Sequence, residues 1–342
     1  MSAPFVSVIV PVFNREAAVR EAVSSLARQT LQDIEIIVVD DGSGDASAEA
    51  AERAGGSLVQ VIRHSENRGI PAARNTGLRA ARGKYVAWLD SDDLARPKRL
   101  ERQVRFLEGN PQIALVGCCA GRMGQGGEHT GMMQIPPFRH EPLAAALLFR
   151  SPFQQSSIMG TAAALKGFEY RPEFPVCEDL DMFIRISRKH RIANMREVLI
   201  DRRMHPGQIN RADSALVRDH KRVLFRKLLH EVGVDASDED LDRHITLGSP
   251  RKQPQPLPFI LWAEQWMKQL RAANRRTGRF DQRALALVCA RAWINGCRLA
   301  MHGDQRLPVA RALFASSLTL GIANPSGLDW LTDVLPLMLG VA

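Results

Sequence analysis

Cysteine and tyrosine are scarce in this 342-residue sequence. The few cysteines argue against a metal-binding cysteine cluster, and the few tyrosines argue against a nucleic-acid-binding protein. The five cysteines are odd in number and lack the spacing of metal ligands, so we expect reduced thiols in a cytoplasmic protein. Only two tyrosines occur, and no stretch alternates basic with aromatic residues as a platform for single-stranded nucleic acid would. The net charge of +9 therefore indicates weak attraction to phosphates or acidic lipid, and we expect no nucleic-acid partner.

Long apolar runs are also absent. No stretch approaches about 18 uninterrupted apolar residues, which predicts that no segment spans a membrane. The first residues lack a basic region followed by an apolar core, so no secretory signal peptide is expected. Apolar residues make up 45% of the chain and charged residues 24%, which is typical of a globular protein with one large domain or a domain with an appendage.

The first third of the chain alternates between apolar strand patterns and helical spacing. Near-continuous apolar strands of this kind, separated by helices, are typical of a doubly wound, mostly parallel α/β sheet. In that architecture ligands lie beyond the carboxyl ends of the strands. The predicted strands are 5–11, 34–39, 59–62, 85–88 and 113–118, and the predicted helices between them include 46–54, 71–82 and 100–107.

The fourth predicted strand ends in a dense group of acids, Asp90, Asp92 and Asp93. Carboxylates this close repel one another and are costly to hold without a cation. Hard oxygen ligands suit Mg²⁺ or Mn²⁺, which are often shared with substrate phosphates. An isolated Asp-x-Asp is more often a solvated turn. However, Asn14, Asp40 and Asp41 also follow strand ends, so we expect these polar side chains to converge at one edge of the sheet.

The remainder of the chain divides into three stretches. Residues 121–140 are rich in Gly, Met and Pro and are predicted to form a long loop. Glu178 and Asp179 open an amphipathic helix that continues to residue 190. Residues 211–342 are predicted to be all helical, with a proline-rich linker or sharp break at 250–258.

Five motifs occur in a fixed order along the first two thirds of the chain: Val8–Asn14, Val38–Ser43, Asn67–Gly69 with Ala73–Asn75, Asp90–Asp93 with Pro97, and Glu178–Asp181 with Arg185. Together they resemble the family 2 inverting glycosyltransferases with the GT-A fold. The resemblance covers about residues 4–210. It implies a GT-A domain at 1–210, with a nucleotide-binding part at 1–118 and an acceptor-side part at 119–210, and a helical C-terminal extension at 211–342.

The resemblance assigns a role to each strand-end residue. It implies that Asp41 lies near the nucleotide base, where a carboxylate accepts the N3–H of uracil or thymine. It implies that Arg74 faces the sugar donor, where a guanidinium pairs with phosphate or stacks on a base. The other implied positions are Pro11 and Asn14 in the first loop of the pocket, Asp40 beside Asp41, Asp90 on the ribose side, Asp92 on the Mn²⁺ or Mg²⁺ ion with Asp93 as its competitor, and His205 close to the metal or diphosphate.

The acids at the start of the last motif resemble the general base of the family. We expect Asp179 to be the base that deprotonates the acceptor hydroxyl, with Glu178 as the alternative. Locally, an acidic first turn that complements the helix dipole explains both residues equally well. The upstream motifs favour the catalytic interpretation.

The sequence thus predicts a metal-dependent inverting glycosyltransferase. It would move a sugar from a nucleotide-diphosphate donor to a glycan or lipid-linked acceptor in bacterial surface polysaccharide synthesis. The preferred donor is a UDP-sugar. The alternatives are a catalytically silent nucleotide-sugar- or partner-binding relative, and a nucleotidyltransferase, although no Gly-rich phosphate loop follows the first strand. The C-terminal helices are expected to contact a second copy or the inner face of the membrane, or else to pack on the catalytic domain.

Overall fold

The computed structural model describes residues 3–133, 136–205, 215–248, 256–300 and 306–320. The chain divides into two compact units, Met1–Leu147 with Ser151–His220, and Leu148–Arg150 with Lys221–Ala342. The predicted boundary between residues 210 and 211 lies outside the described residues, as does most of the predicted linker at 250–258.

The first unit is built on a nine-stranded sheet. Its strands run β3-β2-β1-β4-β8-β6-β9-β5, with β7 paired to β6. The strands are β1 Val6–Val12, β2 Ile34–Asp40, β3 Val59–Arg63, β4 Tyr85–Trp88, β5 Leu94–Ala95, β6 Ile113–Met123, β7 His129–Met132, β8 Met159–Thr161 and β9 Arg191–Arg203.

Helices connect these strands and form the described part of the second unit. They are α1 Glu16–Ala27, α2 Ser47–Gly55, α3 Ile70–Ala80, α4 Arg99–Gly109, α5 His140–Ala146, α6 Ala162–Leu165, α7 Glu178–Lys189, α8 Ala215–Val232, α9 Asp238–Gly248, α10 Leu257–Thr277, α11 Gln282–Ala300, α12 Arg306–Ala315 and α13 Ser317–Leu320. Within the described ranges, none of these helices is long and apolar enough to cross a membrane.

The parallel sheet predicted from the apolar runs is confirmed for β1 to β4. These strands pair in parallel, and all residues of β2 and β4 are buried. Because both faces of β1, β2 and β4 are covered, their sequences are largely apolar, whereas the edge strand β3 is partly exposed and carries Gln60 and Arg63 at its exposed positions. The other half of the sheet is mixed, since β8 is antiparallel to both β4 and β6 whereas β6 and β9 are parallel.

The long loop predicted at 121–140 is wrong in its first half. β6 continues to Met123, and β7 turns back beside it through a tight turn in which Gly124 N–H donates to the Glu128 carbonyl at 2.8 Å. The Gly- and Met-rich composition concealed this hairpin because its strands are paired through the backbone. All four residues of β7 are exposed, so its side chains do not alternate between apolar and polar. A strand without that alternation cannot be predicted from the sequence pattern.

Gly42 shapes the turn that follows β2. Its φ is +78°, and a Cβ at this position would lie 2.6 Å from the Glu66 carbonyl carbon and 2.8 Å from Asn67 N. A side chain therefore does not fit, both for lack of space and because L-residues rarely adopt this backbone conformation. The close approach brings the loop after β3 against the end of β2, where the candidate site lies.

In the second unit, His244 of α9 is the centre of an aromatic cluster. Its ring stacks on Phe149 at a centroid distance of 4.9 Å and meets the edges of Phe225 and Trp266. Trp266 Nε1 donates to His244 Nδ1 at 3.0 Å, and His244 Nε2 donates to the Leu148 carbonyl at 2.7 Å. The segment Leu148–Arg150 is thereby fixed within the helical unit.

Candidate functional site

A cleft of about 360 Å³ opens at the carboxyl ends of β1, β2 and β4. This is the position expected for a ligand site in a sheet with parallel strands. Most of its polar lining comes from the strand-end motifs and from the start of α7. The lining residues are Pro11, Val12, Phe13, Arg15, Asp41, Asn67, Gly69, Ile70, Ala73, Arg74, Asp90, Ser91, Asp92, Asp93, Pro175, Val176, Glu178 and Arg202.

Asp41 lies on the wall of this cleft with most of its hydrogen-bonding capacity already used. Its Oδ1 contacts His64 Nδ1 at 2.6 Å and accepts the N–H of Arg68 at 3.0 Å. Its Oδ2 accepts the N–H of Gly69 at 2.8 Å. A carboxylate offers about four acceptor positions, so one position on Oδ2 is left for a ligand.

Asn14 and Asp40 do not line the cleft and instead hold the loops around it. Asn14 adopts a φ of +50°, and its Oδ1 accepts the N–H of Gly44 at 2.8 Å. Asp40 Oδ1 accepts the N–H of Ser43 at 3.0 Å. Both side chains thus tie down the turn after β2, while Pro11 of the predicted pocket reaches the cleft itself.

Asp92 and His205 meet at the far side of the cleft. Asp92 Oδ2 lies 2.8 Å from His205 Nε2, and both side chains are largely buried. A third group approaches them, because Arg15 Nη1 lies 3.4 Å from the same imidazole nitrogen and 3.8 Å from the same carboxylate oxygen. Arg15 begins the first helix, and its side-chain direction could not be read from the sequence.

Asp93 is buried and both its oxygens have protein partners. Oδ2 accepts the Ser156 hydroxyl at 2.5 Å, and Oδ1 accepts the N–H of Arg203 at 3.0 Å. Burial, with the charges of Asp92 and Asp90 beside it, raises the pKa of Asp93 to about 8. Both acids line the cleft, but the two carboxylate oxygens of Asp93 are engaged by Ser156 and Arg203, whereas the described contacts of the Asp92 carboxylate all fall on Oδ2.

The residues at Asp92 fit a divalent cation that is shared with a ligand. Among the described residues, no group of three or more His, Cys, Asp or Glu side chains is arranged to hold a metal ion. Asp92 and His205 nevertheless supply one carboxylate oxygen and one imidazole nitrogen side by side. Mn²⁺ accepts both ligand types, and Mg²⁺ commonly keeps waters and substrate phosphates beside one or two carboxylates.

Arg74 connects the two sides of the cleft. It is buried in α3, with Nη1 paired to Glu178 and Nη2 donating to Asp90 Oδ1 at 3.0 Å. Its guanidinium lies 5.4 Å from the centre of the Tyr170 ring, close enough for a cation–π interaction. Burial disfavours the charged form of Arg74, but the charges of Glu178 and Asp90 outweigh it and raise the pKa of Arg74.

Glu178 and Asp179, the two acids at the start of α7, have different environments. Glu178 lines the cleft, and burial raises its pKa to about 7 although Arg74 opposes the rise. Asp179 is half-buried and is not among the residues that line the cleft, and burial also raises its pKa. Its Oδ1 accepts the N–H of Leu180 at 2.7 Å, and Oδ2 has no hydrogen-bond partner in the described part of the chain.

Several residues that line or support the cleft were not predicted from the sequence. Phe13 exposes 43% of its surface on the cleft wall, and Arg202 lines the cleft with its Nη1 donating to Gln154 Oε1 at 2.7 Å. Gln155 donates to the Tyr170 hydroxyl at 2.7 Å. Residues 154–156 thus hydrogen-bond to side chains in and next to the cleft. These contacts join residues that are far apart in the sequence, so local patterns do not reveal them.

The sheet and the position of the cleft define a fold of the GT-A type. The chain superposes on S. aureus TarS 1–349 in complex with UDP-GlcNAc with a TM-score of 0.54 and 19% identity, covering 91% of each chain. A longer S. aureus TarS chain matches with a TM-score of 0.54 and 19% identity over 90% of this chain and 55% of that one. These likenesses show a shared fold.

The sequence comparisons give the family. Residues 7–166 match the family model described as Glycosyl transferase family 2. An uncharacterized glycosyltransferase of Haemophilus influenzae is 29% identical over 248 residues, which cover 68% of this chain and 76% of that protein. The uncharacterized glycosyltransferase EpsJ of Bacillus subtilis is 45% identical over 117 residues, only a third of either chain. Residues 7–166 therefore carry a glycosyl transferase family 2 domain.

Proposed function

We propose that this glycosyltransferase moves a sugar, with inversion, from a nucleotide-diphosphate donor to a hydroxyl of a glycan or lipid-linked acceptor. One observation carries the proposal: Arg74 binds Asp90, on the predicted sugar-donor side, and Glu178, on the predicted acceptor side, in a single cleft. The matched proteins named above come from bacteria, so we place the reaction in the synthesis of a bacterial surface polysaccharide.

The free acceptor position of Asp41 favours a uracil or thymine base. Three of about four lone-pair positions of its carboxylate are occupied by His64, Arg68 and Gly69, so one N–H can be accepted. Uracil and thymine present one such N–H at N3, whereas guanine presents N1–H and N2–H side by side and is best matched by two free acceptors. Phe13 supplies an exposed aromatic surface on which a base can stack. S. aureus TarS, of the same fold, is described in complex with UDP and with UDP-GlcNAc.

The diphosphate is proposed to lie beside Asp92 and Arg15. Asp92 and His205 would hold Mn²⁺ or Mg²⁺, which supplies positive charge to offset the negative charge that develops on the leaving diphosphate. Arg15 adds a protein cation on the same side of the cleft. Asp93 is proposed as a structural residue that fixes the loop through Ser156 and Arg203.

Transfer itself requires one base. We propose that Asp179 Oδ2 accepts the proton of the acceptor hydroxyl while the hydroxyl oxygen attacks the anomeric carbon. The bond from that carbon to the diphosphate oxygen breaks, and the nucleoside diphosphate leaves with the electron pair. Asp179 is favoured over Glu178 because Glu178 is engaged by Arg74 whereas Asp179 Oδ2 has no partner in the described residues. Burial suits the base to this task, since it raises the pKa of Asp179 towards the working pH.

A thermal-shift screen tests the sugar donor. UDP-, dTDP- and GDP-sugars would each be added with and without Mn²⁺, because a ligand that binds only the folded state raises the melting temperature. We expect UDP- or dTDP-sugars to give the larger shift and Mn²⁺ to increase it. If GDP-sugars give the larger shift, the base assignment is wrong. If no nucleotide sugar shifts the melting temperature in either condition, the proposed function is wrong.

A further inference from the structure

Arg15 sits where a metal ion would meet its ligands. Its Nη1 lies 3.4 Å from His205 Nε2 and 3.8 Å from Asp92 Oδ2, and those two atoms are 2.8 Å apart. The two atoms that would ligate a divalent cation therefore already face a guanidinium. The three form a triangle of one carboxylate and two nitrogen groups, of which Arg15 and Asp92 line the cleft.

The Arg15 side chain can move without disturbing the fold. Its backbone N–H is fixed by the Ser47 hydroxyl at 2.9 Å, so the start of α1 stays in place. The side chain itself is 31% exposed, and its distances of 3.4 Å to His205 Nε2 and 3.8 Å to Asp92 Oδ2 are longer than a normal hydrogen bond. The guanidinium is thus attracted to Asp92 but not locked onto it.

A guanidinium and a divalent cation compete for this carboxylate. A divalent cation held by both Asp92 and His205 would be a close neighbour of the Arg15 guanidinium, which contacts both of those groups, and like charges repel strongly in a partly buried site. The repulsion falls if a diphosphate enters the cleft, because its negative charge attracts both cations and draws the guanidinium away from Asp92.

We propose that Arg15 couples metal binding to nucleotide binding. Without nucleotide, Arg15 neutralises Asp92 and weakens the binding of a metal ion. With a nucleoside diphosphate, Arg15 turns to the phosphates and leaves Asp92 and His205 to the ion. The coupling is reciprocal, so the metal strengthens nucleotide binding by the same factor. This inference rests on the proposed function, since it requires a diphosphate and a metal ion in the cleft.

Titration of Mn²⁺ tests the coupling. Free Mn²⁺ would be measured by electron paramagnetic resonance, with and without saturating UDP, for wild type, R15Q, R15K and R105Q. We expect R15Q to bind Mn²⁺ without UDP about tenfold more tightly than wild type does, because the competing charge is gone. We expect R15Q to bind UDP without metal about tenfold more weakly, as calorimetry would show.

Two of the variants serve as controls. R15K retains a positive charge and should keep Mn²⁺ binding without UDP weak. R105Q removes the same charge from the exposed face of α4, where the side chain is 66% exposed, and should bind both ligands as wild type does. Circular dichroism melts would confirm that all variants fold.

The outcomes separate this inference from the proposed function. If wild type binds Mn²⁺ in the presence of UDP but R15Q binds Mn²⁺ alone no more tightly than wild type, the role of Arg15 is wrong and the metal site stands. If R105Q strengthens Mn²⁺ binding as much as R15Q, net charge explains the effect and the role of Arg15 is again wrong. If wild type binds no Mn²⁺ even with UDP, both proposals are wrong.

Discussion

Arg74 and Glu178 form a buried ion pair although they are 104 residues apart in the sequence. The pair joins α3, which carries part of the nucleotide motifs, to the first turn of α7, which carries the two catalytic candidates. Arg74 also binds Asp90 at 3.0 Å. A change at any of these three residues is therefore expected to affect both sides of the cleft.

The identity of the base can be tested by Asp179→Asn. The amide keeps the shape of the side chain but cannot take the acceptor proton, so transfer should fall by roughly 10²- to 10⁴-fold. UDP affinity should change little, because the proposed base faces the acceptor. Transfer would be measured with radiolabelled sugar donor, and the anomeric configuration of the product by NMR should be inverted.

Glu178→Gln is the matched control for this variant. It retains a side chain that Arg74 can bind, and we expect it to reduce transfer less than Asp179→Asn does. If Glu178→Gln abolishes transfer while Asp179→Asn remains active, the base is Glu178. If the product retains its configuration, the single-displacement mechanism is wrong.

Stability should depend on pH through Glu178. Its pKa is raised from about 4.5 to about 7, so the folded protein holds a proton that the unfolded chain has released. Its contribution to the free energy of unfolding is fully present below about 4.5 and is lost as the pH rises through about 7. We expect the stability of wild type relative to E178Q to fall over this window. Urea titrations across the range measure it, and a pH-independent difference would contradict the assignment.

The metal site predicts opposite behaviour for two adjacent acids. Asp92→Ala should weaken UDP binding and remove its dependence on Mn²⁺ or Mg²⁺, because it removes the carboxylate that faces the cleft. Asp93→Asn should leave that dependence intact, since the buried side chain serves Ser156 and Arg203. Calorimetry of UDP with and without Mn²⁺ compares them. Metal-dependent binding that survives in Asp92→Ala and disappears in Asp93→Asn would reverse the assignment.

His244 should control the stability of the helical unit. His244→Phe leaves Trp266 Nε1 and the Leu148 carbonyl without their partner, so we expect a loss of roughly 3 kcal/mol in the free energy of unfolding. Burial lowers the pKa of His244 to about 4, and wild type should therefore lose stability as the pH falls from about 6.5 to about 4. Tryptophan fluorescence during denaturation reports both effects. A variant as stable as wild type would show that the two hydrogen bonds contribute little.

The C-terminal helices can be tested as a membrane contact. Residues 257–300 contain eight basic and two acidic residues, which favours attraction to anionic lipid. Flotation with liposomes should then depend on acidic lipid and decrease at high salt. Binding that is insensitive to salt, or absent, would contradict the membrane proposal and leave packing or self-association as the role of these helices.

The central strands of the nucleotide-binding half, β1, β2 and β4, were predictable because they are buried on both faces. The runs that begin at Ile34 and Tyr85 are apolar almost throughout, and the strands found there agree with the predicted bounds to within one residue. The hairpin of β6 and β7 was missed because His129–Met132 is exposed and paired only through its backbone. The spacing of apolar residues indicates which side chains are buried. It therefore cannot predict a strand whose side chains are all exposed.

The sequence by itself determined the order of strands and helices in the first third and the motifs at the strand ends, because burial and turn chemistry act on neighbouring residues. Only the tertiary structure decided which polar atoms remain free for a ligand. Asp92 and Asp93 are adjacent and equivalent in the sequence, yet Asp93 is occupied by Ser156 and Arg203, which lie 63 and 110 residues away. Arg15 likewise reaches Asp92 and His205 across the fold. Hydrogen-bond partners at such separations are fixed by the packing of the sheet, and local patterns cannot reveal them.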